Sequence, residues 1–311
     1  MFGAGADVDD EVEVGELESL RRVGVTQAGA HLGVIAHQRE RPVHDLHKLL
    51  RRSEFRHRGP VYPRPVACKR RRARTNNFPS VSDPIHLQPT APLAERVLLP
   101  GDPGRALLLA QAVLSEPKMF NHNRGLWGYT GAAADDQPLT IQSTGMGGPS
   151  AAIVIGELHD LGARTFLRTG TCGALDPRLE LGQLLVVTEA IAEDGTSRAL
   201  GAPPRVAADP ELTRRLIAAG DGPLTAGPVV STDLFYDTPA GAEQRWMQAG
   251  ALAVEMEAAT LFALASRRGV QAGAVLIVTD VLLPHRRRID PERLRDAELR
   301  LGEVAAAALI P

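Results

Sequence analysis

From Val81 onward, the chain alternates short apolar runs with Ala- and Leu-rich stretches of helical length. The segment Ala-Val-Leu-Ile-Val-Thr at 274–279 is typical of the runs, since it is rich in β-branched residues and lacks polar alternation. Strands that are covered by helices on both faces have this continuous apolar pattern. We therefore predict an α/β domain with three α/β/α layers and a mixed, largely parallel central sheet.

The predicted elements follow from these runs and from the residues that punctuate them. The predicted strands are residues 95–99, 139–143, 164–167, 183–190, 227–230, 252–254 and 274–278. The predicted helices are residues 105–114, 150–161, 210–219, 240–249, 258–268 and 291–309. Pro149 and Pro210 stand at helix starts, whereas Gly162 and Gly269 stand where helices end.

Composition excludes several classes of protein. With 44% hydrophobic and 23% charged residues, the chain is neither disordered as a whole nor fibrous. Its net charge of −2 does not favour a nucleic-acid partner for the whole protein. Cys68 and Cys172 cannot form a disulfide framework or a metal site. We find no apolar run of about 18 residues and no secretory signal, and we expect a cytoplasmic protein with no membrane partner.

Residues 1–80 differ from the rest. They carry fifteen Lys/Arg against ten Asp/Glu, so the remaining residues have a net charge of −7. Three interpretations stay open: a disordered tail, a basic nucleic-acid arm built on the run at 69–74, or a spurious extension of the gene model. We favour the last, because Val81 fits a GTG start codon and Met119 is the next methionine after Met1. The predicted domain is then 81–311, and a weak helix is possible at 42–52.

Glycine-rich and charged motifs follow the predicted strands. In open α/β sheets, ligands bind outside the carboxyl ends of the strands, so we expect these motifs to meet in one pocket. The motifs are Gly-Asp-Pro-Gly-Arg at 101–105, Gly-Met-Gly-Gly at 145–148, Arg-Thr-Gly-Thr-Cys-Gly at 168–173, Ser-Thr-Asp-Leu-Phe-Tyr at 231–236, Glu-Met-Glu at 255–257 and Thr-Asp at 279–280.

The residue types in these motifs indicate an anion beside a sugar and a ring. Glycines allow backbone N–H groups to approach a ligand, and the guanidinium groups of Arg105 and Arg168 match phosphate oxygens in bidentate fashion. An acidic residue of the Glu-Met-Glu segment suits vicinal hydroxyls. Phe235 suits a heterocycle. The spacing fits neither a Walker loop nor a dinucleotide fingerprint.

The chain from Asp83 to its C-terminus resembles the nucleoside phosphorylase-I family, and within it the hexameric bacterial purine nucleoside phosphorylases. The matching segments occur in family order over about 230 residues, whereas residues 1–80 have no counterpart. These segments are Pro-Gly-Asp-Pro-Gly-Arg (100–105), Asn-Arg-Gly-Leu-Trp-Gly-Tyr-Thr-Gly (123–131), Ser-Thr-Gly-Met-Gly-Gly-Pro-Ser (143–150), Arg-Thr-Gly-Thr-Cys-Gly-Ala (168–174), Asp-Leu-Phe-Tyr (233–236) and Val-Glu-Met-Glu-Ala-Ala (254–259).

The resemblance implies a transferase of purine salvage. It would convert a purine nucleoside and inorganic phosphate into free base and pentose 1-phosphate, with phosphate as co-substrate and with neither a cofactor nor a metal. The implied phosphate contacts are Gly101, Arg105, Arg168 and Thr171. It also implies that Arg124 and the sugar-binding His86 enter from a neighbouring subunit, in a hexamer that is a trimer of dimers.

Further site residues are implied by the same resemblance. Met256 and Glu257 match ribose contacts, and the base pocket is matched by Phe235, Val254 and Glu255, with Thr279 where purine enzymes often have serine. Asp280 matches the aspartate that protonates the base, and Arg293 matches the arginine that assists it. Asp280 must therefore carry a proton when it acts.

Several residues also have ordinary structural interpretations. Arg293 lies in a helix start and would serve equally as a surface residue, and His86 as a mobile terminal histidine. Met256 and Phe235 would fit a core, one of the two glutamates would fit a structural role, and Cys172 fits a small buried side chain. The cluster at 285–288 is either a solvated loop or a lid over the pocket.

Other functions compete with purine phosphorolysis. Uridine phosphorylases share the fold, but they carry a Gln-x-Arg pair for the pyrimidine that residues 243–245 do not supply in register. A nucleosidase uses water and would not need the three arginines of the phosphate set. A non-catalytic purine-binding or regulatory protein is a third class, and phosphate-dependent release of base would separate all of these.

Overall fold

A computed structural model describes residues 84–222 and 224–310. The predicted helix at 42–52 and the prediction for residues 1–80 lie outside these residues. The strands are β1 (Arg96–Leu99), β2 (Ser115–Asn121), β3 (Gly128–Ala132), β4 (Pro138–Gln142), β5 (Thr165–Ala174), β6 (Leu184–Ala192), β7 (Arg205–Ala207), β8 (Thr225–Ser231), β9 (Ala253–Glu255), β10 (Gln271–Val281) and β11 (Arg287–Arg288). The helices are α1 (Pro103–Val113), α2 (Gly148–Asp160), α3 (Gly195–Ala199), α4 (Pro210–Ala218), α5 (Ala242–Gln248), α6 (Ala258–Arg268) and α7 (Pro291–Ala308).

All of these strands belong to one mixed sheet, in the order β11-β10-β6-β8-β9-β5-β1-β4-β3-β2, with β7 attached to β6. Because β10 also pairs in parallel with β5, the five strands β5, β10, β6, β8 and β9 close into a ring. β1 extends the sheet from this ring in parallel, and the antiparallel strands β2 and β3 form the far edge. In this ring β5 and β10 run parallel to each other, β8 and β9 run parallel to each other, and β9 runs antiparallel to β5.

Helices cover both faces of the sheet. On one face α2, α3 and α6 pack together, and on the other face α1, α4 and α7 do so. Successive residues of β10 show the two-sided burial: Leu276 packs into the core beneath α2 and α6, and Ile277 packs into the core beneath α1 and α7. The three-layer α/β/α architecture with a mixed central sheet is thereby confirmed.

The sequence predicted the central elements well and the edges poorly. Each strand and helix predicted within the described residues is present within a few residues, but β5 continues through 168–174, whereas the predicted strand ends at 167. The strands β2, β3, β7 and β11 and the short helix α3 were not predicted. β2 contains Pro117 and is largely exposed, so it lacks an apolar run. None of the helices in the described part of the chain is long and apolar enough to cross a membrane.

Candidate active site

A cavity of about 520 Å³ lies against the ring of strands. The motifs that follow β1, β4, β8 and β9 line it, together with residues of β5 and β10. The predicted site residues on its wall are Gly101, Arg105, Arg168, Thr171, Phe235, Val254, Glu255, Met256, Glu257, Thr279 and Asp280. Most of the set inferred from separate motifs therefore meets in one place.

The first corner of the cavity is the turn between β1 and α1. Asp102 caps the helix by accepting the backbone N–H of Arg105 over 2.7 Å, and Pro103 occupies the first turn. This cap fixes Arg105 in the first turn of α1, beside the cavity. Its Nε donates to Glu298 of α7 over 2.8 Å, so Glu298 orients the Arg105 side chain.

Arg168 lies in β5 and is almost completely buried. Its guanidinium donates to Glu255 over 3.0 Å, and a second nitrogen lies 2.5 Å from Glu257. Burial acts against the charged form, but the charges of Glu257 and Glu255 outweigh it and raise the pKa of Arg168 above its usual range. Arg168 is therefore a permanent cation, held rigidly at the cavity wall.

The two glutamates of the Glu-Met-Glu segment have different surroundings. Glu255 accepts from the Ser231 hydroxyl and from the backbone N–H groups of Glu257 and Ala258, which start α6. Its carboxylate is thus occupied by protein donors. Glu257 accepts from the Gly147 backbone and pairs with Arg168. Burial raises the pKa of Glu257, and the charge of Glu255 adds to this effect while Arg168 opposes it.

A β-bulge near the end of β10 positions the predicted acid. Val278 pairs with Cys172 and Asp280 pairs with Gly173, so Thr279 is an extra residue in this strand. As a result, both Thr279 and Asp280 face the cavity, although adjacent strand residues normally point to opposite faces. The Thr279 hydroxyl donates to Asp280 over 3.0 Å.

Two arginines that we had not placed in the site contact Asp280. The Nε atom of Arg286 donates to it over 2.9 Å, and the Nε atom of Arg288 lies 3.3 Å away. Arg286 also lines the cavity, so the cluster at 285–288 is more than a solvated loop. The positive charge of Arg286 and its closeness to Asp280 in the sequence were the available signals for this contact. The resemblance to the family implies Arg293 as the arginine beside Asp280.

Arg293 makes no hydrogen bond or ion pair with Asp280 among the described residues, and its role as the arginine that assists Asp280 stays a prediction. It follows the Asp290 cap of α7, its side chain is 60% exposed, and it donates to the Leu181 carbonyl over 3.0 Å. Arg286 occupies the place that we had expected Arg293 to take.

Phe235 and Tyr236 lie at the mouth of the cavity. Their rings meet edge to face with centroids 4.9 Å apart, and Phe235 is 52% exposed. The guanidinium carbon of Arg286 lies 5.0 Å from the centre of the Phe235 ring. Phe235 is therefore not a core residue, whereas Cys172 is buried, and its burial raises the pKa of its thiol.

His86 and Arg124 lie outside the cavity wall and share one surface. The Asn123 side chain donates to the His86 carbonyl over 2.9 Å, which joins the two segments. Arg124 is exposed and has a positive φ of 57°. His86 is tied to Glu157, whose carboxylate receives the ring Nδ1 at 2.7 Å and the backbone N–H of Leu87 at 2.7 Å. The histidine is thus anchored and is not a mobile terminal residue.

Further residues on the cavity wall had no individual role in the prediction, although the motifs at 145–148 and 231–236 were expected to meet in the pocket. They come mainly from the segment after β8 and from α5, whose contribution depends on tertiary packing. They include Met146, Thr232, Leu234, Thr238, Glu243, Trp246 and Leu282. In the described part of the chain, no group of three or more His, Cys, Asp or Glu side chains is arranged to hold a metal ion.

Comparisons with known proteins agree with this geometry. The fold and the cavity define an α/β protein with a large cavity lined by arginine, acidic and apolar side chains. The model of the Phosphorylase superfamily matches residues 95–310. The chain belongs to that superfamily.

The chain is similar to curated proteins that are named as phosphorylases of nucleosides. A guanosine phosphorylase of Halorubrum lacusprofundi is 43% identical over 188 residues, covering 59% of this chain and 77% of the relative. A DeoD-type purine nucleoside phosphorylase of Geobacillus kaustophilus is 36% identical over 226 residues, covering 71% and 93%. A uridine phosphorylase of Treponema pallidum is 37% identical over 232 residues, covering 69% and 89%.

Proposed function

We propose that this protein cleaves purine nucleosides with inorganic phosphate, releasing the free base and a pentose 1-phosphate. The observation that carries the proposal is that Arg105, Arg168 and Asp280 line one cavity. Two cations suit an oxyanion, and a buried carboxyl suits a heterocycle. The names of the curated relatives, among them guanosine and purine nucleoside phosphorylases, support the same reaction.

Phosphate would bind between the turn at Gly101 and the Thr171 hydroxyl, facing Arg105 and Arg168. Guanidinium forks and backbone N–H groups match its oxygens. As the glycosidic bond breaks, positive charge grows on the sugar. A fixed phosphate dianion stabilises that charge and then attacks the anomeric carbon, so positioning and electrostatics supply most of the rate acceleration.

The nucleoside would lie along the rest of the wall. Glu257 and Met256 would contact the sugar, because the carboxylate of Glu255 is already occupied by Ser231 and by backbone donors. Phe235, Val254 and Thr279 would bound the base. Negative charge that develops on the base needs a donor, and we assign this task to Asp280.

We further propose that active sites are shared between subunits of a homo-oligomer, with a hexamer as the assembly. His86 and Arg124 lie together on one surface, outside the cavity of their own chain. This surface also exposes apolar side chains, including Ile85 at 71% and Trp127 at 40%. A two-fold contact through it would place both residues at a neighbouring cavity.

Some expectations stay predictions. They are the cytoplasmic location, the absence of a need for metal or organic cofactor, the role in purine salvage, and the division of the chain into 1–80 and 81–311. Peptide mapping of the protein from its native host tests the last, because peptides from 20–75 would contradict a spurious extension.

The decisive experiment measures release of base from inosine, guanosine, adenosine and uridine, with and without phosphate. We expect purine base and pentose 1-phosphate only when phosphate is present. Release without phosphate would indicate a nucleosidase, and no release from any nucleoside would indicate a binding protein.

Uridine phosphorolysis is the second candidate, since one curated relative carries that name. Of residues 243–245, only Glu243 reaches the cavity wall in the described structure, so the Gln-x-Arg pair of uridine phosphorylases has no equivalent there. A preference for uridine in the same panel would overturn the assignment to purines.

A further inference from the structure

The position of Arg286 bears on which base the cavity accepts. Arg286 follows β10 and reaches back to the cavity, where its Nε atom bonds Asp280 and its guanidinium lies over Phe235. Its side chain is 42% exposed, so it enters from the solvent side. Asp280, the proposed proton donor to the base, is thus paired with a cation.

A guanidinium only donates hydrogen bonds, and its geometry matches two adjacent acceptors. A 6-oxopurine presents two such acceptors, N7 and O6, on one edge. Adenine presents N7 beside an amino group, which is a donor and opposes a guanidinium. An ionised carboxylate alone would have the reverse preference, because it only accepts.

The pairing leaves part of Arg286 available. Its Nε is used by Asp280, whereas its two terminal nitrogens have no hydrogen-bond partner among the described residues. These nitrogens carry the N–H groups that form a fork toward a ligand. The contact with Phe235 holds the guanidinium at the place where a ring would stack.

We propose that Arg286 is a specificity-determining residue that makes this enzyme select 6-oxopurine nucleosides, such as inosine and guanosine, over adenosine. The proposal rests on the proposed function. Arg286 directs its two terminal nitrogens at O6 of the base, where adenine has an amino group, while Asp280 serves N7 and holds the guanidinium in place. Glu243 on the same wall adds an acceptor, which suits the N1–H of a 6-oxopurine and not the bare N1 of adenine.

The test compares kcat/KM for inosine, guanosine and adenosine at saturating phosphate in the full-length wild type, Arg286→Ala and Arg286→Lys. We expect the wild type to prefer inosine over adenosine by about 10- to 100-fold, the size of a hydrogen bond between a charged donor and O6 that adenine cannot accept. Arg286→Ala should lower the inosine-to-adenosine ratio by about tenfold or more. Arg286→Lys should not restore it, since an ammonium has no planar fork.

The matched control is Arg287→Ala, which removes the same charge from an adjacent exposed residue of β11. It should keep the wild-type ratio, and the KM for phosphate should stay unchanged in all variants. If Arg286→Ala lowers kcat/KM equally for inosine and adenosine, the proposal is overturned and the phosphorylase assignment stays intact. A wild-type preference for adenosine would do the same. Absence of phosphorolysis from every nucleoside would instead refute the proposed function, and this inference with it.

Discussion

Glu257 approaches Arg168 to 2.5 Å at the cavity wall, and this pair joins the proposed phosphate site to the proposed sugar site. Both side chains are buried, and Glu255 adds a second negative charge to the cluster. Two carboxylates around one guanidinium leave a net negative charge in a poorly solvated place. Burying this net charge costs folding free energy, and such charged clusters in a cavity are typical of ligand-binding sites.

Replacing Glu257 with Gln should stabilise the protein while removing most of its activity. Because burial raises the pKa of Glu257 above its ordinary 4.5, ionisation of this carboxyl at pH 7 costs folding free energy. Glutamine removes that cost, so the Tm should rise. The gain should vanish as the pH falls below 4.5, where the carboxyl is protonated in both states. Calorimetry against Glu303→Gln, an exposed control, checks this; a large fall in Tm would refute it.

Asp280→Asn should lose most turnover of 6-aminopurine nucleosides and still bind phosphate. The amide cannot transfer a proton, so we expect kcat to fall on the order of 100-fold or more. Phosphate affinity should change little, because Arg105 and Arg168 remain. Steady-state kinetics and phosphate titration measure the two quantities, with the exposed Asp296→Asn as control. Near-wild-type turnover would remove Asp280 from its assigned role.

Glu298→Gln should weaken phosphate binding through Arg105. Glu298 orients the Arg105 guanidinium over 2.8 Å, and loss of its charge should leave that side chain less ordered. We expect the KM for phosphate to rise about three- to tenfold with kcat nearly unchanged, the size of one weakened charged hydrogen bond. Arg105→Gln should have a larger effect. If kcat falls and KM does not, Glu298 acts in another way.

Glu157→Gln should release the segment that carries His86. Glu157 accepts from the backbone of Ile85, His86 and Leu87. Burial acts to raise its pKa, but the His86 ring and the backbone bonds of Leu87 and His86 outweigh it and hold the pKa below the ordinary 4.5. The stabilisation is therefore present above pH 4.5 and is lost as the pH falls below it. Hydrogen exchange in residues 85–88 should become at least tenfold faster in the variant, as expected for loss of about 1.5–3 kcal/mol. Unchanged protection would show that other contacts anchor the segment.

Mixing two inactive variants tests whether sites are shared. Arg124→Ala and Asp280→Asn subunits, unfolded and reassembled together, should form some heterodimers in which one site has both residues intact. At equal mixing, roughly a quarter of all sites would then be active. Each variant reassembled alone supplies the control. No recovery in the mixture, with assembly verified by mass, would contradict donation of Arg124 across an interface.

Much of the site was accessible from the sequence because its residues lie in short local motifs. The motif at 101–105 placed Arg105 at the start of the helix predicted over 105–114, and α1 begins two residues earlier at Pro103. Gly147, with φ of 83°, and the glycines beside it mark a turn that few other residues could form. Apolar runs likewise placed β1 and β10 near their observed bounds.

The contacts around Asp280 were not accessible in this way. The bulge at Thr279 exists only because β10 pairs with β5 in a register that leaves one residue over. The segment 168–174 is a strand for the same reason, since its glycines favour a loop until two neighbouring strands supply hydrogen bonds. The number of residues between Asp280 and each arginine also could not show whether Arg286 or Arg293 contacts Asp280. That depends on the direction in which the chain turns after β10.

The sequence by itself determined the α/β class, the order of the elements and the motifs that make up the cavity wall, because these depend on local periodicity and turn chemistry. Only the tertiary structure decided that the sheet closes into a ring and that the Glu255 carboxylate accepts hydrogen bonds at the start of α6. It also decided that Arg286, and not Arg293, contacts Asp280. Those outcomes depend on pairings between distant segments. Their free energy comes from burial and from hydrogen bonds across the sheet, which local sequence does not specify.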